Sequence, residues 1–226
     1  MSDEWHSIFL EAIDVSDIEE EQLLDESFMQ EHLEKLKNTQ ELSLNLWCMM
    51  ITDISVLSPF THLQELNLSN CFELIDISAL TNLRVLRISN CQELTDISSL
   101  SHLTNLQELT LEDCNQLTDI SALANLTNLK KFKLSGLELL TDISALANLT
   151  NLQELELDWC SQLADISALV NLTNLQKLDL SLLYKLTDIS ALANLTNLEF
   201  VSLSDCDQVT GVKELQAALP NCRIAI

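Results

Sequence analysis

Apolar residues recur along most of this chain at i, i+3, i+5 and i+8, and the arrangement returns every 23 residues. Aligned on Leu63, Leu83, Leu106, Leu129, Leu152, Leu175 and Leu198, the copies read Leu-x-x-Leu-x-Leu-x-x-Cys and then Leu-Thr-Asp-Ile-Ser-Ala-Leu. The block DISALANLTNL is identical over Asp119 to Leu129, Asp142 to Leu152 and Asp188 to Leu198, and a further copy differs only at Val170. Within each copy the period-2 piece, with Leu109 and Leu111 inward and Thr110 outward, predicts a short strand. The second half predicts a helical or 3₁₀ turn over Ser121 to Asn125, with Asp119 accepting hydrogen bonds from its free N–H groups. One strand and one turn cannot bury their own leucines. Neighbouring copies must therefore stack, pairing their strands into a parallel sheet. Eight strands at ~4.8 Å give a span of roughly 34 Å. The copy from Leu63 to Asn82 is 20 residues long and the first copy carries an extra residue before Cys48, so the stack is expected to be less regular there.

Both ends of such a stack need caps. Trp5, Ile8, Phe9, Ala12 and Ile13 follow helical spacing, and Met29, Leu33 and Leu36 form a second stripe after a capping box at Ser27 and Gln30. Residues 1–38 are thus predicted as a helical cap and 39–226 as a solenoid of about eight repeats. At the other end Val212, Leu215, Ala218 and Leu219 predict a short helix stopped by Pro220, before a last strand at Ile224 and Ile226. Its outer edge leaves room for pairing with a second copy, so the chain is expected to be a monomer or a weak dimer.

Those repeats resemble the leucine-rich-repeat family, and the Asp-Ile-Ser-Ala-Leu-Ala-Asn-Leu-Thr-Asn-Leu half is similar to its bacterial internalin-like and phosphatase-regulator-like members. The resemblance covers roughly Thr39 to Ile226. It implies an α/β, right-handed solenoid with a parallel sheet on the concave face, short helical or 3₁₀ turns on the convex face, and a protein bound on the sheet side. Here Cys stands where internalin-like repeats typically have Asn, and each repeat is one residue longer.

Charge narrows the list of partners. Against 35 Asp plus Glu stand 11 Lys plus Arg, a formal charge of −24. Nucleic acid and anionic lipid are repelled by such a surface, so neither is an expected partner. The first 34 residues hold twelve acids and no Lys or Arg. They make either a solvated outer face or a docking surface. The absence of a basic n-region and of a ~20-residue apolar run predicts a cytoplasmic protein. The seven cysteines follow the repeat and not a disulfide framework, which also suits a reducing compartment.

Several rows invite a chemical reading. Cys71, Cys91, Cys114, Cys160 and Cys206 share a slot that Leu137 and Leu183 fill in other copies. A slot taking either residue is an apolar core position with a weak S–H donor, and no C-x-x-C pair suggests a metal. The row Asp53, Asp76, Asp96, Asp119, Asp142, Asp165 and Asp188 resembles a calcium ladder, yet one carboxylate per repeat does not converge on one ion. These aspartates are expected to cap turns. His6, His32, His62 and His102 stand singly and read as surface residues. No cofactor is implied, and no nucleophile, acid and base set is apparent. Enzyme is thus the third function class.

Where the copies differ is on the outward face of the strands. Glu108, Lys131, Glu154 and Lys177 alternate in sign on successive strands, beside Arg87, Lys133 and Glu156. Such pairs either stabilise the sheet or recognise a partner. Trp159 and Leu182 share a row at the C-terminal edge of the strands with Tyr184 two residues on, and aromatics on a polar face are common interface anchors. Alternatively Trp159 folds onto the loop after Cys160. Phe200 lies on another row, roughly 16 Å along the strand direction, and extends the patch without joining it. The leading expectation is a protein-binding module that presents Trp159, Leu182, Tyr184 and Phe200 beside Arg87, Lys131, Lys133, Glu154 and Glu156. The runner-up is an effector delivered to a host or neighbouring cell without a cleavable signal.

Overall fold

The computed structural model describes residues 42–47, 51–80 and 82–226. The predicted helical cap over residues 1–38, and Cys48, lie outside the described residues. Nine strands form one parallel sheet in sequence order: β1 (Leu42–Trp47), β2 (Leu63–Ser69), β3 (Val85–Ser89), β4 (Glu108–Glu112), β5 (Lys131–Ser135), β6 (Glu154–Glu156), β7 (Lys177–Asp179), β8 (Phe200–Ser202) and β9 (Arg223–Ala225). Each strand thus neighbours only the preceding and following repeats. The crossovers run through 3₁₀ turns at Ser55–Leu57, Ser98–His102, Ser121–Asn125, Ser144–Asn148, Ser167–Asn171 and Ser190–Asn194. The result is an open leucine-rich-repeat solenoid.

The registers explain why every strand carries the same apolar pattern. Leu66, Leu86, Leu109, Phe132, Leu155, Leu178 and Val201 lie side by side across β2 to β8, and all are buried. Leu68, Ile88, Leu111 and Leu134 form the next inward row and are fully enclosed. The turns are 3₁₀ for a reason of spacing. Ile120, Leu123, Leu126 and Leu129 recur every third residue, which keeps them on one face of a helix with three residues per turn. Successive i→i+3 bonds follow that spacing, with Leu123, Leu126 and Leu129 N–H groups donating to Ile120, Leu123 and Leu126 carbonyls at 3.0, 2.9 and 3.0 Å. An α-helix at 3.6 residues per turn would rotate those leucines off the core.

Two ladders of polar groups hold the loops. The second Asn of each Asn-Leu-Thr-Asn block reaches back one repeat, Asn128, Asn151, Asn174 and Asn197 donating to the Thr104, Thr127, Thr150 and Thr173 carbonyls at 2.8 Å each. On the other side the aspartates accept the backbone N–H of the serine two residues on, as in Asp119 with Ser121 at 2.8 Å and Asp96 with Ser98 at 2.7 Å. Asp53, Asp76, Asp142, Asp165 and Asp188 do the same. The aspartate therefore stands one residue before the helical N-cap, which is Ile120 in that repeat. These bonds hold the carboxyls of Asp96, Asp119, Asp165 and Asp188 below the ordinary value through the serine N–H and then its hydroxyl; at Asp53 the hydroxyl contributes most.

A depressed carboxyl stabilises the fold above its unfolded pKa of 3.8 and loses that contribution as pH falls through the lower folded value. Asp113 and Glu156 are shifted upward, chiefly by burial, so their ionised forms oppose folding and protonation relieves them first. Thermal melts between pH 7 and 2.5 are therefore expected to show stability rising slightly on mild acidification and falling below about pH 4. Asn at positions 119 and 165 keeps an acceptor oxygen without the charge and should flatten the acid limb. An unchanged limb in that double variant would place the sensitivity elsewhere.

The slot shared by cysteine and leucine is core, as its composition indicates. Cys71, Cys91, Cys114, Leu137, Cys160 and Leu183 are fully enclosed, and Cys206 nearly so. The cysteine thiols donate to strand carbonyls, Cys114 to Glu112 at 3.5 Å and Cys160 to Leu134 at 3.4 Å. Burial pushes the Cys114 and Cys160 thiols up to about 11, so neither is a ready thiolate. In the 20-residue repeat the chain turns at Ser78 and Ala79 without a 3₁₀ helix, and a register shift between Leu42 and Ser43 marks the pairing of β1 with β2. At the C-terminal end α1 (Val212–Ala218) starts after Gly211 in the left-handed region and buries Leu215, while Leu219 just beyond it is also buried. The last strand ends at Ala225, and Ile226 is 82% exposed and not an inward member of it. Pairing with β8 reaches only three residues, Arg223 to Ala225, which explains the difference.

Candidate functional site

Just beyond each strand the chain must turn out of the sheet, and one residue per repeat takes a left-handed backbone to do so. These residues are Asn70, Asn90, Asp113, Gly136, Trp159, Leu182 and Asp205, with φ between 54° and 70°. Asn, Asp and Gly tolerate that region, and a bulky side chain does so at a cost of roughly 1–2 kcal/mol. Trp159 at φ 61° and Leu182 at φ 63° are the two departures. Their backbone is held from outside. The Trp159 N–H donates to the Ser181 carbonyl at 3.0 Å and the Leu182 N–H to Ser204 at 2.9 Å, continuing a ladder begun by Asn70, Asn90, Asp113 and Gly136. Backbone strain over-determined in this way concentrates at functional positions.

Trp159 is 54% exposed, so it is not folded away onto the following loop, and Tyr184 is 45% exposed. Leu182 is half-buried between their repeats. The ladder places Trp159 and Leu182 on adjacent repeats, about 4.8 Å apart in the sheet direction. Tyr184 lies two residues further along the same loop, next to Lys185, which donates to Gln162 of the preceding repeat. Phe200, on β8, stays apart from them. Its ring is partly covered by the Arg223 guanidinium, 5.8 Å from the ring centre.

The charged candidates meet one another. On the sheet face Lys131 and Lys177 flank Glu154, at 4.0 and 3.2 Å. Lys133 lies 3.0 Å from Glu112 and 3.8 Å from Glu156, and Arg87 is 3.1 Å from Glu108. The Arg87–Glu108 and Lys133–Glu112 pairs are diagonal, since Thr110 is the β4 residue directly opposite both cations, whereas Glu156 lies directly opposite Lys133. Burial alone would lower Lys133, but the bond to Glu112 and the fields of Glu156 and Asp158 raise it. Burial raises Glu156 first of all, with the attraction of Lys133 working the other way and Asp158, Asp179 and Glu112 adding to the rise. Each partner is about a third or more exposed, so such pairs contribute only about 0.2–1 kcal/mol. Toward the aromatic edge a hydroxyl and carboxylate row continues, with Ser135 donating to Asp158 at 2.8 Å and Ser181 to Asp179. Arg87, Lys131, Lys133, Glu154 and Glu156 are therefore paired within the sheet face, and Trp159 and Tyr184 stand exposed at its edge.

The left-handed column does not emerge from the hydrophobic pattern. Its signal lies in the sequence all the same: Asn, Asn, Asp and Gly before the Cys or Leu slot in four successive copies, replaced by Trp and Leu in the next two. The inter-repeat Asn ladder carries a weaker signal, because its asparagines are also explicable as loop residues.

Among known families, a model of leucine-rich repeats in two copies matches residues 81–125. No curated protein sequence matches the chain. Among solved structures the chain is similar to internalin C2 of Listeria monocytogenes, at 30% identity and a TM-score of 0.66, over 81% of this chain and 79% of that one. It is similar to the internalin InlF of the same organism, at 28% identity and a TM-score of 0.62, over 85% of this chain and 61% of that one. The leucine-rich-repeat domain of the type III effector XopL shares the fold at 21% identity and a TM-score of 0.62, covering 99% of this chain and 89% of that one.

Proposed function

The chain belongs to the leucine-rich-repeat family, in its bacterial internalin-like branch, and from that premise we propose that it binds a partner protein on the concave sheet face, anchored at the aromatic edge of Trp159, Leu182 and Tyr184. Leucine-rich-repeat domains typically serve as protein-interaction modules. The observation that carries the assignment is the strained, exposed Trp159 in a slot where five other copies use Asn, Asp or Gly. A bulky residue there costs stability and gives nothing to the core, so its contribution lies outside the fold. The lattice of Arg87, Lys131, Lys133, Glu154 and Glu156 forms the polar floor beside it, and Phe200 is an outlying contact.

A catalytic role has less support. The shifted titratable groups are capping aspartates, core thiols and the paired carboxylates and lysine of the sheet, and each shift has a structural cause. The buried cysteines Cys71, Cys91, Cys114, Cys160, Cys206 and Cys222 suit a reducing compartment, which favours cytoplasmic action. The net charge of −24 disfavours nucleic acid and anionic membrane as partners. Delivery into another cell is the second reading, and the leucine-rich-repeat domain of a type III effector shares the fold.

Affinity capture with the parent chain and with Trp159→Ala and Lys133→Glu tests the assignment. Proteins captured by the parent are expected to be lost from the Trp159→Ala eluate and weakened by Lys133→Glu, which sets an acid among Glu112, Glu156 and Asp158. A partner retained in full by both variants binds elsewhere.

A further inference from the structure

At the opposite, N-terminal edge of the strands the surface chemistry reverses. A groove of about 590 Å³ runs across the repeats that feed β2 to β5, and its lining includes His62, Gln64, Arg84, Gln107, Asn128 and Lys130. Among its described lining residues there is no carboxylate, in a chain with 35 of them. Its two cations also differ from those of the sheet face. Arg87, Lys131, Lys133 and Lys177 all face glutamates, whereas among the described residues neither Arg84 nor Lys130 does; Lys130 meets only the Gln107 amide oxygen at 3.4 Å. The net charge does not cancel this local reversal, since the Debye length at physiological ionic strength is ~8 Å and distant carboxylates are screened.

The spacing selects the ligand. Arg84 precedes β3 and Lys130 precedes β5, with Gln107 between them before β4, so the cations stand two strand spacings apart, about 10 Å. A segment carrying two carboxylates meets both cations without drawing them together onto one anion. A peptide in the extended polyproline-II form has three residues per turn and advances ~3.1 Å per residue, so carboxylates three residues apart lie on one side of it, about 9 Å from each other, and match the interval. Among the described residues nothing accepts from the Gln107 amide N–H groups, which can donate to the main chain of such a peptide. Asn128, whose N–H donates to the Thr104 carbonyl at 2.8 Å, has no donor to its oxygen among those residues and can accept. We propose that this groove is a second docking site, for an extended acidic segment of a protein partner whose carboxylates, three residues apart, pair with Arg84 and Lys130. It rests on the reading of the chain as a protein-binding module but not on the aromatic edge, which lies about 20 Å along the strands and on later repeats.

The test selects short random displayed peptides on the full chain and on Arg84→Gln/Lys130→Gln at physiological ionic strength. Selection on the parent is expected to enrich peptides with Asp or Glu three residues apart. By fluorescence anisotropy, individual enriched peptides should lose about tenfold or more in affinity for the double variant. They should keep their affinity for Trp159→Ala, and inorganic phosphate should not displace them. Both substituted side chains are exposed, and an unchanged melting temperature confirms that the variant is folded. Three outcomes overturn the proposal: only basic or apolar peptides are enriched, acidic peptides bind the double variant as well as the parent, or phosphate displaces them. Acidic peptides lost on Trp159→Ala with Arg84 and Lys130 intact would also overturn it, and would assign their binding to the aromatic edge.

Discussion

Replacing Phe132 with Ala is expected to lower the unfolding free energy by about 3–5 kcal/mol, a large share of the stability of an ordinary domain. Phe132 is 2% exposed, in the middle of β5, where the flanking strands carry Leu109 and Leu155. Truncation removes both its transfer energy and its packing against the two neighbouring repeats. The consequence extends beyond the local loss, because a solenoid has no long-range contacts to compensate for a weak central interface. Chemical denaturation of Phe132→Ala should therefore lose its single transition, with the repeats on either side of β5 melting separately. Phe132→Leu restores the residue used in the adjacent copies and is expected to cost less than about 1.5 kcal/mol. A cooperative, near-native transition in Phe132→Ala would show that the repeats are coupled by something other than this core row.

Trp159→Asn is expected to act in opposite directions on stability and on binding. Asn is the residue the chain itself uses at the equivalent positions 70 and 90, with φ 56° at both. Removing a bulky side chain from the left-handed region should return roughly 1 kcal/mol, a rise of a few degrees in melting temperature. Loss of an exposed aromatic anchor should cost about 2 kcal/mol or more of partner affinity, some thirtyfold. Leu182→Asn should repeat the pattern more weakly, since Leu182 is already half-buried. Calorimetry and a binding isotherm on the same preparation check both signs. If Trp159→Asn destabilises the chain while partner affinity is unchanged, Trp159 is a packing residue and the aromatic edge is not a docking site.

The fold was legible in the sequence because it is built from one repeated solution. The inward leucines of each strand, the threefold spacing of Ile120, Leu123, Leu126 and Leu129, and the aspartate before each turn all state local requirements. Repetition then multiplies each signal across the copies. What failed to show were features that exist only between repeats. The reach of Asn128 to the Thr104 carbonyl and the diagonal pairing of Arg87 with Glu108 join residues about one repeat apart in sequence. The ninth strand was placed one residue too far, toward Ile226, because alternation alone does not say where pairing with β8 ends.

By itself, then, the sequence determined a stack of strand and turn, its core rows, and the role of its cysteines and aspartates. Burial and local hydrogen bonding act on residues close along the chain, and a period of 23 residues records them. Only the tertiary structure decided which surface residues are already satisfied. Pairing across strands binds most of the sheet-face cations to glutamates, gives Arg84 and Lys130 no such partner among the described residues, and holds Trp159 in a backbone conformation it does not favour. Those properties depend on which side chain lies on the next strand, and that neighbour is fixed only when the repeats stack.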